Sequence, residues 1–413
     1  MTEGRRLVLP AQDSTDAQLR PLLLVLGLPT FGLAFAICVL TTYGPVLLLD
    51  LAGSPGTVGA LLAGEGALAL AVPLLAGSLS DRLPTGTRLG RRLPFVVVGG
   101  PLVLAGLVLL PLSPNLLVAG IALLLFFVGY YLYYPPYRAL YADLLPRALL
   151  ARSQASQAVL RGAGLGVGLL TGGFFLSLWT PLPFVVAGSI VLAATLVLRP
   201  IARLQREGAT AADVTAATLR ALLRDRGMRT FAAANVLLEL SFAGLRTFIV
   251  LYVTEGLDRS AAVASAVIGA VAAAYVIGAP LASRLERRFG IIPVMTWSAL
   301  LYGVGLCLGM LPTSLGPELV LLPFVALAGS VLLTLPQALA FLVAPTGSEG
   351  VAAGIVDVSR GLGVVLGPLA VGYAVRFSGD LLPATEGYAA MWPVIGVATL
   401  LAVPLLRRIS VQA

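Results

Sequence analysis

The sequence predicts an all-α membrane protein whose twelve transmembrane helices form two pseudo-symmetric six-helix bundles. Three observations carry this prediction. Hydrophobic residues make up 58% of the 413 and charged residues 11%, whereas soluble domains carry roughly 25% charged residues. That leaves too little polar surface to solvate a globule of this size. Apolar stretches of about 20 residues, the length that crosses a bilayer, recur along the chain. Positions 136 to 173 also recur about 199 residues later. Arg161-Gly162, Gly164, Gly168 and Gly173 return as Arg360-Gly361, Gly363, Gly367 and Gly372, and Ala139-Leu140 and Pro146 return as Ala338-Leu339 and Pro345. A repeat of half the chain length, with charges inside apolar segments, is the pattern of a carrier that rocks two halves about a midplane site.

The spans fall near 22 to 49, 57 to 79, 95 to 112, 117 to 142, 156 to 178 and 182 to 199 in the first copy. In the second copy they fall near 230 to 253, 261 to 282, 293 to 311, 317 to 344, 351 to 375 and 387 to 406. Pro29, Pro45, Pro135 and Pro136 are expected to kink or shorten their helices. The chain then divides into a cytoplasmic segment 1–21, a bundle 22–199, a cytoplasmic linker 200–229, a bundle 230–406 and a cytoplasmic tail 407–413. Within the linker, Ala211 to Arg226 reads as a short helix with Leu219, Leu222 and Leu223 on one side, lying along the cytoplasmic face.

Orientation follows from arginine, because Lys and His are absent and all 27 basic residues are Arg. Assigning connections alternately to two sides places 22 arginines on one side and two, Arg259 and Arg376, on the other; Arg161, Arg246 and Arg360 lie within spans. The positive-inside rule makes both termini cytoplasmic in a cell (inner) membrane. The net charge of +8 reflects this topology and contact with the lipid bilayer, and gives no reason to expect nucleic-acid binding. Arg5 and Arg6 precede a polar segment with Asp13 and Asp16 instead of an apolar core, so no cleavable signal peptide is expected. Cys38 and Cys307, in spans of different copies, read as small packing residues.

The absences remove whole classes of chemistry. Without Lys there is no Walker-type phosphate loop, kinase lysine or Schiff base, and without His there is no zincin or serine-histidine triad. The chain is read as not an enzyme, with no cofactor and no metal, and uphill movement would draw on an ion gradient. Carboxylates would have to carry any proton.

Gly77-Ser78-Leu79-Ser80-Asp81-Arg82, followed by Arg88-Leu89-Gly90-Arg91-Arg92-Leu93-Pro94-Phe95, resembles the signature loop of the major facilitator superfamily. Its form is most similar to the sucrose and glycoside proton symporter branches. A degenerate partner, Gly278, Ser283-Arg284 and Arg287-Arg288-Phe289-Gly290, occupies the matching loop of the second copy. Pro136-Tyr137-Arg138-Ala139-Leu140-Tyr141-Ala142-Asp143-Leu144 is similar to the run that ends the fourth span in sucrose-type carriers, and Arg152 lies near the place of an arginine in that branch. Arg161 resembles an arginine of sugar-efflux carriers instead, and Gly164, Gly168, Gly172 and Gly173 resemble the antiporter glycine motif, with Leu169 where that motif has a proline that the second copy keeps as Pro368. The resemblance implies a monomeric, proton-coupled carrier of a sugar-like or other small polar organic solute, working by alternating access. An efflux antiporter for drugs or metabolites is the alternative, and a membrane-embedded lipid-modifying enzyme is a third reading for which no catalytic constellation is visible.

The same resemblance implies gating roles for Gly77, Asp81, Arg82, Arg91, Arg92, Arg138 and Asp143. Positive-inside anchoring is the competing reading for Arg88, Arg91 and Arg92. Glu65, Arg161, Glu239, Arg246, Asp357 and Arg360 are the candidates for substrate contact or proton coupling, since a charge within a span costs several kcal/mol unless it faces a cavity or a partner. Asp357 and Arg360, three apart, share a helix face and can neutralise each other, and Arg161 can pair with an acid across the two-fold. Glu239, seven residues from Arg246, is the preferred coupling carboxylate, whereas no partner for Glu65 is legible.

Tyr130, Tyr134, Tyr137 and Tyr141 lie on one helix face, and the first three are candidate substrate contacts, with an aromatic belt at the membrane interface as the alternative. Phe31, Phe35 and Trp297 read as packing or lipid-facing residues. The four-residue glycine spacing reads first as a device for close helix packing.

Overall fold

The computed structural model describes residues 16–82, 92–144, 147–198, 224–311, 315–344 and 349–409. Among the described residues the backbone is helical with no strand. The first copy supplies α1 (Asp16–Ala52), α2 (Pro55–Arg82), α3 (Leu93–Leu109), α4 (Leu116–Leu144), α5 (Arg147–Leu178) and α6 (Leu182–Leu198). The second supplies α7 (Arg226–Leu251), α8 (Ala261–Phe289), α9 (Ile291–Leu308), α10 (Leu315–Thr334), α11 (Pro336–Val343), α12 (Glu349–Ser378) and α13 (Met391–Arg407). Among the described residues ten stretches are long and apolar enough to cross a bilayer, one of them running through α10 and α11, and Leu182–Leu198 and Ala261–Val271 are shorter apolar helices. Each of the twelve predicted spans therefore coincides with helix.

Pro29, Pro45, Pro135 and Pro136 do not shorten their helices, since α1 and α4 run unbroken through them. The break falls at Leu335, where Pro336 opens α11. A spanning helix keeps its length across a proline when other groups satisfy the carbonyls that the ring crowds. One turn before Pro29, the Leu26 carbonyl accepts from the Tyr137 hydroxyl and, at 2.7 Å, from the Tyr141 hydroxyl. The expected helix from Ala211 lies outside the described residues except at its end. There Asp225 is extended, and its carboxylate caps α7 by accepting from the Met228 N–H at 2.7 Å.

Packing divides the chain into two compact units. One comprises Met1–Leu40 and Ala71–Ala212, and the other Thr41–Leu70 and Asp213–Ala413. The hairpin formed by the end of α1 and the start of α2 thus packs with the second copy. Within the first unit α3 lies against α4 and α6; within the second, α7 packs on α12 and α13, and α9 on α13 and α10.

The repeated glycines are where helices meet closely. A Cβ on Gly164 of α5 would collide with the Phe31 carbonyl of α1, and one on Gly168 would lie 3.1 Å from Cys38 Sγ. Their repeat mates face α7. A Cβ on Gly363 would stand 2.5 Å from the Cβ of Glu239, and one on Gly367 would stand 2.5 Å from the Leu240 carbonyl. The hairpin uses the same device on α12, because a Cβ on Gly66 would lie 2.6 Å from the Gly361 carbonyl and one on Gly59 would overlap the Pro368 carbonyl. Backbones without side chains between them gain dispersion contacts that lipid cannot replace. Gly164→Ala is expected to destabilise the protein by about 1–3 kcal/mol through overpacking. Gly166→Ala, with open space around it, is expected to be neutral or to stabilise by up to about 1 kcal/mol through helix propensity. Thermal unfolding of the two variants in detergent checks the order.

Candidate functional site

The second unit holds its internal charges on α7. Glu239 and Arg246 lie seven residues apart on this helix and each reaches a different neighbour. Arg246 Nη2 donates to Glu65 Oε2 at 3.3 Å, linking α7 to the α2 part of the hairpin. Arg360 Nε donates to Glu239 Oε1 at 3.0 Å, linking α12 to α7. The carboxylates are the buried members: the side chains of Glu65 and Glu239 are 7% and 14% exposed, against 36% for Arg246 and 50% for Arg360. Each long guanidinium stem thus bridges from a more exposed position to an acid that the surrounding helices enclose. Arg246 Nε is itself buried, and no described group accepts from it.

The local sequence explains this geometry. Glu239 stands where Gly363 lets α12 touch α7, and Glu65 adjoins Gly66, which lets α2 approach α12. The Tyr43 hydroxyl, 2.6 Å from Ser265 Oγ, fastens the α1 side of the hairpin to α8. Asn235 Nδ2 donates to Ser359 Oγ at 2.7 Å, a further tie between α7 and α12.

Two expected pairings are corrected. Asp357 and Arg360 do not neutralise each other: Asp357 is exposed, and Arg360 reaches across the glycine contact to Glu239. Sharing a face at a spacing of three permits a pair, but a more enclosed acid on the next helix has the greater need of the cation. Glu239 accordingly has a partner, and Glu65, for which the sequence offered none, is bonded by Arg246.

In the first unit no described carboxylate pairs with Arg161. Its Nη2 donates to the Tyr134 hydroxyl, and its Cζ lies 5.7 Å from the centre of that ring. Arg138, exposed on α4, has its Cζ 5.6 Å from the same ring centre. Tyr130 stacks on Tyr134 with centroids 5.8 Å apart.

The tyrosine face divides in two. Tyr130 and Tyr134 are half-buried beside Arg161, whereas Tyr137 and Tyr141 are core residues of this unit. Besides the Leu26 carbonyl, Tyr137 Oη meets Thr30 Oγ1 at 2.7 Å and Tyr141 Oη at 3.0 Å. The Tyr137 ring is enclosed and its hydroxyl is committed to α1. Phe35 and Cys38 are buried on the same helix, and Trp297 is exposed on α9.

Of the residues assigned to gating, Arg92 is buried, and its Nη1 donates to Ser80 Oγ at 2.7 Å, tying the end of α2 to the start of α3. Arg91 lies outside the described residues, as do the side chains of Asp81, Arg82 and Asp143 and the surroundings of Gly77, although α2 and α4 extend over those four positions. Sequence reasoning missed Thr30, Tyr43, Ser265 and Ser80 as partners; small hydroxyl residues in apolar runs are the signal that marks them. Among the described residues no cluster of three or more His, Cys, Asp or Glu could hold a metal ion.

A family model for the Major Facilitator Superfamily matches residues 30–239 and 231–412. The chain belongs to this superfamily. It is therefore a multi-pass membrane transporter, and the likeness extends to solved structures. A bacterial homologue of the human lysosomal transporter Spinster, in an inward-facing and unoccupied conformation, superposes with a TM-score of 0.79 at 14% identity over 95% of this chain and 97% of that one. The nucleoside transporter NupG gives 0.76 at 13% identity over 94% and 98%, and a D-xylose-proton symporter gives 0.71 at 15% over 95% and 98%. None of the curated proteins compared with the chain matches it. Identities this low establish a shared major facilitator fold.

The Glu65–Arg246 pair yields a test. Glu65→Gln and Arg246→Gln are each expected to lower stability, and the double variant is expected to lose less than the sum, with a coupling energy of about 0.5–3 kcal/mol. Strictly additive losses in a thermal double-mutant cycle would show that the contact contributes nothing.

Proposed function

We propose that this major facilitator protein is a secondary active carrier, monomeric in an inner membrane with both termini cytoplasmic, moving a small polar organic solute by alternating access and driven by a proton gradient. The observation that carries the reading is the Glu65–Arg246 pair. It ties the α1–α2 hairpin to α7, where glycine contacts with α12 and the Tyr43–Ser265 contact with α8 add to its hold. For that end of the protein to open, the hairpin leaves these helices and the pair separates. An ionised Glu65 that parts from Arg246 loses its charge-paired contact, at a cost of several kcal/mol in an apolar span, and a proton on it removes that cost. Proton binding and separation therefore favour each other, which is the linkage a coupled carrier needs.

This reasoning moves the coupling role from Glu239 to Glu65. Glu239 and Arg360 sit on helices held together by Gly363 and Gly367, a contact that a rocking motion leaves intact. Arg360 with Glu239, and Arg161 with Tyr130 and Tyr134, are then the polar groups offered to the solute, and Arg138 and Arg92 act at the cytoplasmic end. The sugar-like class rests on the Ser80-Asp81-Arg82 and Gly90 to Phe95 loops; the solved relatives named for nucleoside, peptide and D-xylose-proton transport show how far the solutes of this fold range. Gly164 and Gly168, two of the glycines that resemble an antiporter motif, sit at the close contact of α1 with α5, so packing accounts for them without favouring export over uptake.

Proteoliposomes with an imposed pH gradient test the proposal. The protein is expected to accumulate a labelled solute from a panel of sugars, sugar acids and nucleosides, and a protonophore is expected to abolish the accumulation. Glu65→Gln should retain downhill exchange while losing about 5- to 150-fold of the accumulation, the range set by coupling of ~1–3 kcal/mol. Flux indifferent to the gradient, or a Glu65→Gln protein that still concentrates solute, would end the proton-coupled reading.

A further inference from the structure

Of the arginines inside apolar spans, Arg246 and Arg360 are answered by carboxylates. Arg161 is answered by a phenol. The repeat shows what is different about it. Gly164 and Gly363 are repeat mates, and where Gly363 presses on Glu239, Gly164 presses on Phe31. At the matching contact of the first unit, Gly164 meets the Phe31 carbonyl and the Ala34 Cβ, and no acid stands there. The first unit adds a second cation instead, because Arg138 lies over the same Tyr134 ring that Arg161 approaches. At the positions repeating Tyr134 and Arg138 the second copy has Leu333 and Gln337, so the cluster is particular to the first copy.

The Tyr134 hydroxyl completes the argument. It accepts from Arg161 and donates to no described group, so its own hydrogen is available. Two guanidiniums and a phenol hydrogen are gathered on one ring, two turns inside the end of the apolar span at Tyr141, and no described carboxylate answers them. Guanidinium groups suit carboxylate and phosphate because both sides of the contact are planar or multidentate and fully charged. We propose that Arg161, Arg138 and the Tyr134 hydroxyl form a subsite for an anionic group, a carboxylate or a phosphate. This rests on the carrier reading and deepens it, since the transported solute then bears a negative charge, as a sugar acid or a sugar phosphate does. A lipid headgroup phosphate offers the same chemistry, and the test separates the two sources.

The probe is radiolabelled inorganic phosphate, measured by equilibrium dialysis against the full chain in phosphatidylcholine nanodiscs, with chloride at equal ionic strength as the control. The wild-type protein is expected to bind phosphate saturably and to be competed by sulfate. Arg161→Gln is expected to weaken binding about ten-fold or more, the change that follows loss of a charged hydrogen-bond donor. Tyr134→Phe, which keeps both cations, provides a milder variant should Arg161→Gln fail to fold, and is expected to bind more weakly than wild type. Addition of phosphatidylglycerol to the nanodiscs assigns the subsite: loss of phosphate binding means that a lipid headgroup occupies it, and persistence means that a soluble anion does. No saturable binding to the wild type, or wild-type binding by both Arg161→Gln and Tyr134→Phe, would overturn the proposal. Binding needs no transport, so phosphate held by a protein that moves no solute would sink the carrier reading alone, and proton-driven flux without a phosphate site would sink the subsite alone.

Discussion

A charge inside hydrocarbon must meet an opposite charge, a ring of hydrogen-bond partners or water, and the polar architecture of this protein follows from that requirement. Glu65 and Glu239 are enclosed and each draws an arginine from another helix. Buried hydroxyls follow the same rule at lower stakes: Tyr137 and Tyr141 converge on the Leu26 carbonyl, and Tyr43 finds Ser265. Because the chain uses neither Lys nor His, every cation is an arginine that stays charged at all biological pH values, and the carboxylates alone can change the balance. Charge state is therefore written by acids and read by arginines.

Those contacts depend on close backbone approach. An arginine on α12 reaches an acid on α7 because Gly363 and Gly367 remove the side chains that would hold the helices apart. Gly59 and Gly66 do the same between α2 and α12. The glycines and the charges thus form one system, the first setting helix spacing and the second using it. Where the spacing device repeats but the acid does not, as at Gly164 beside Phe31, the two copies part in chemistry while keeping the same packing.

The helical plan was readable because it depends on quantities that a sequence displays directly: apolar length, arginine distribution and a copy of Arg161-Gly162 at Arg360-Gly361. The identity of the charged residues was equally visible. Their pairing was not, since Glu65 and Arg246 are separated by 181 residues and Arg360 had a nearer acid in Asp357. Spacing along one helix tells which groups share a face and is silent about the neighbour that this face meets. The tyrosines misled for a related reason. A period of three and four places Tyr130 to Tyr141 on one stripe, but α1 covers only the half nearer Tyr141, so Tyr137 is enclosed while Tyr134 remains half-exposed.

The long sequence separation within the Glu65–Arg246 pair bears on biosynthesis. The α1–α2 hairpin emerges from the ribosome well before α7, yet Thr41–Leu70 belongs with Asp213–Ala413. A newly made Glu65 thus enters the membrane with its guanidinium still untranslated. Until α7 arrives, the hairpin must stay near the aqueous surface or insert with that acid neutral, so its final seating is a late step in assembly.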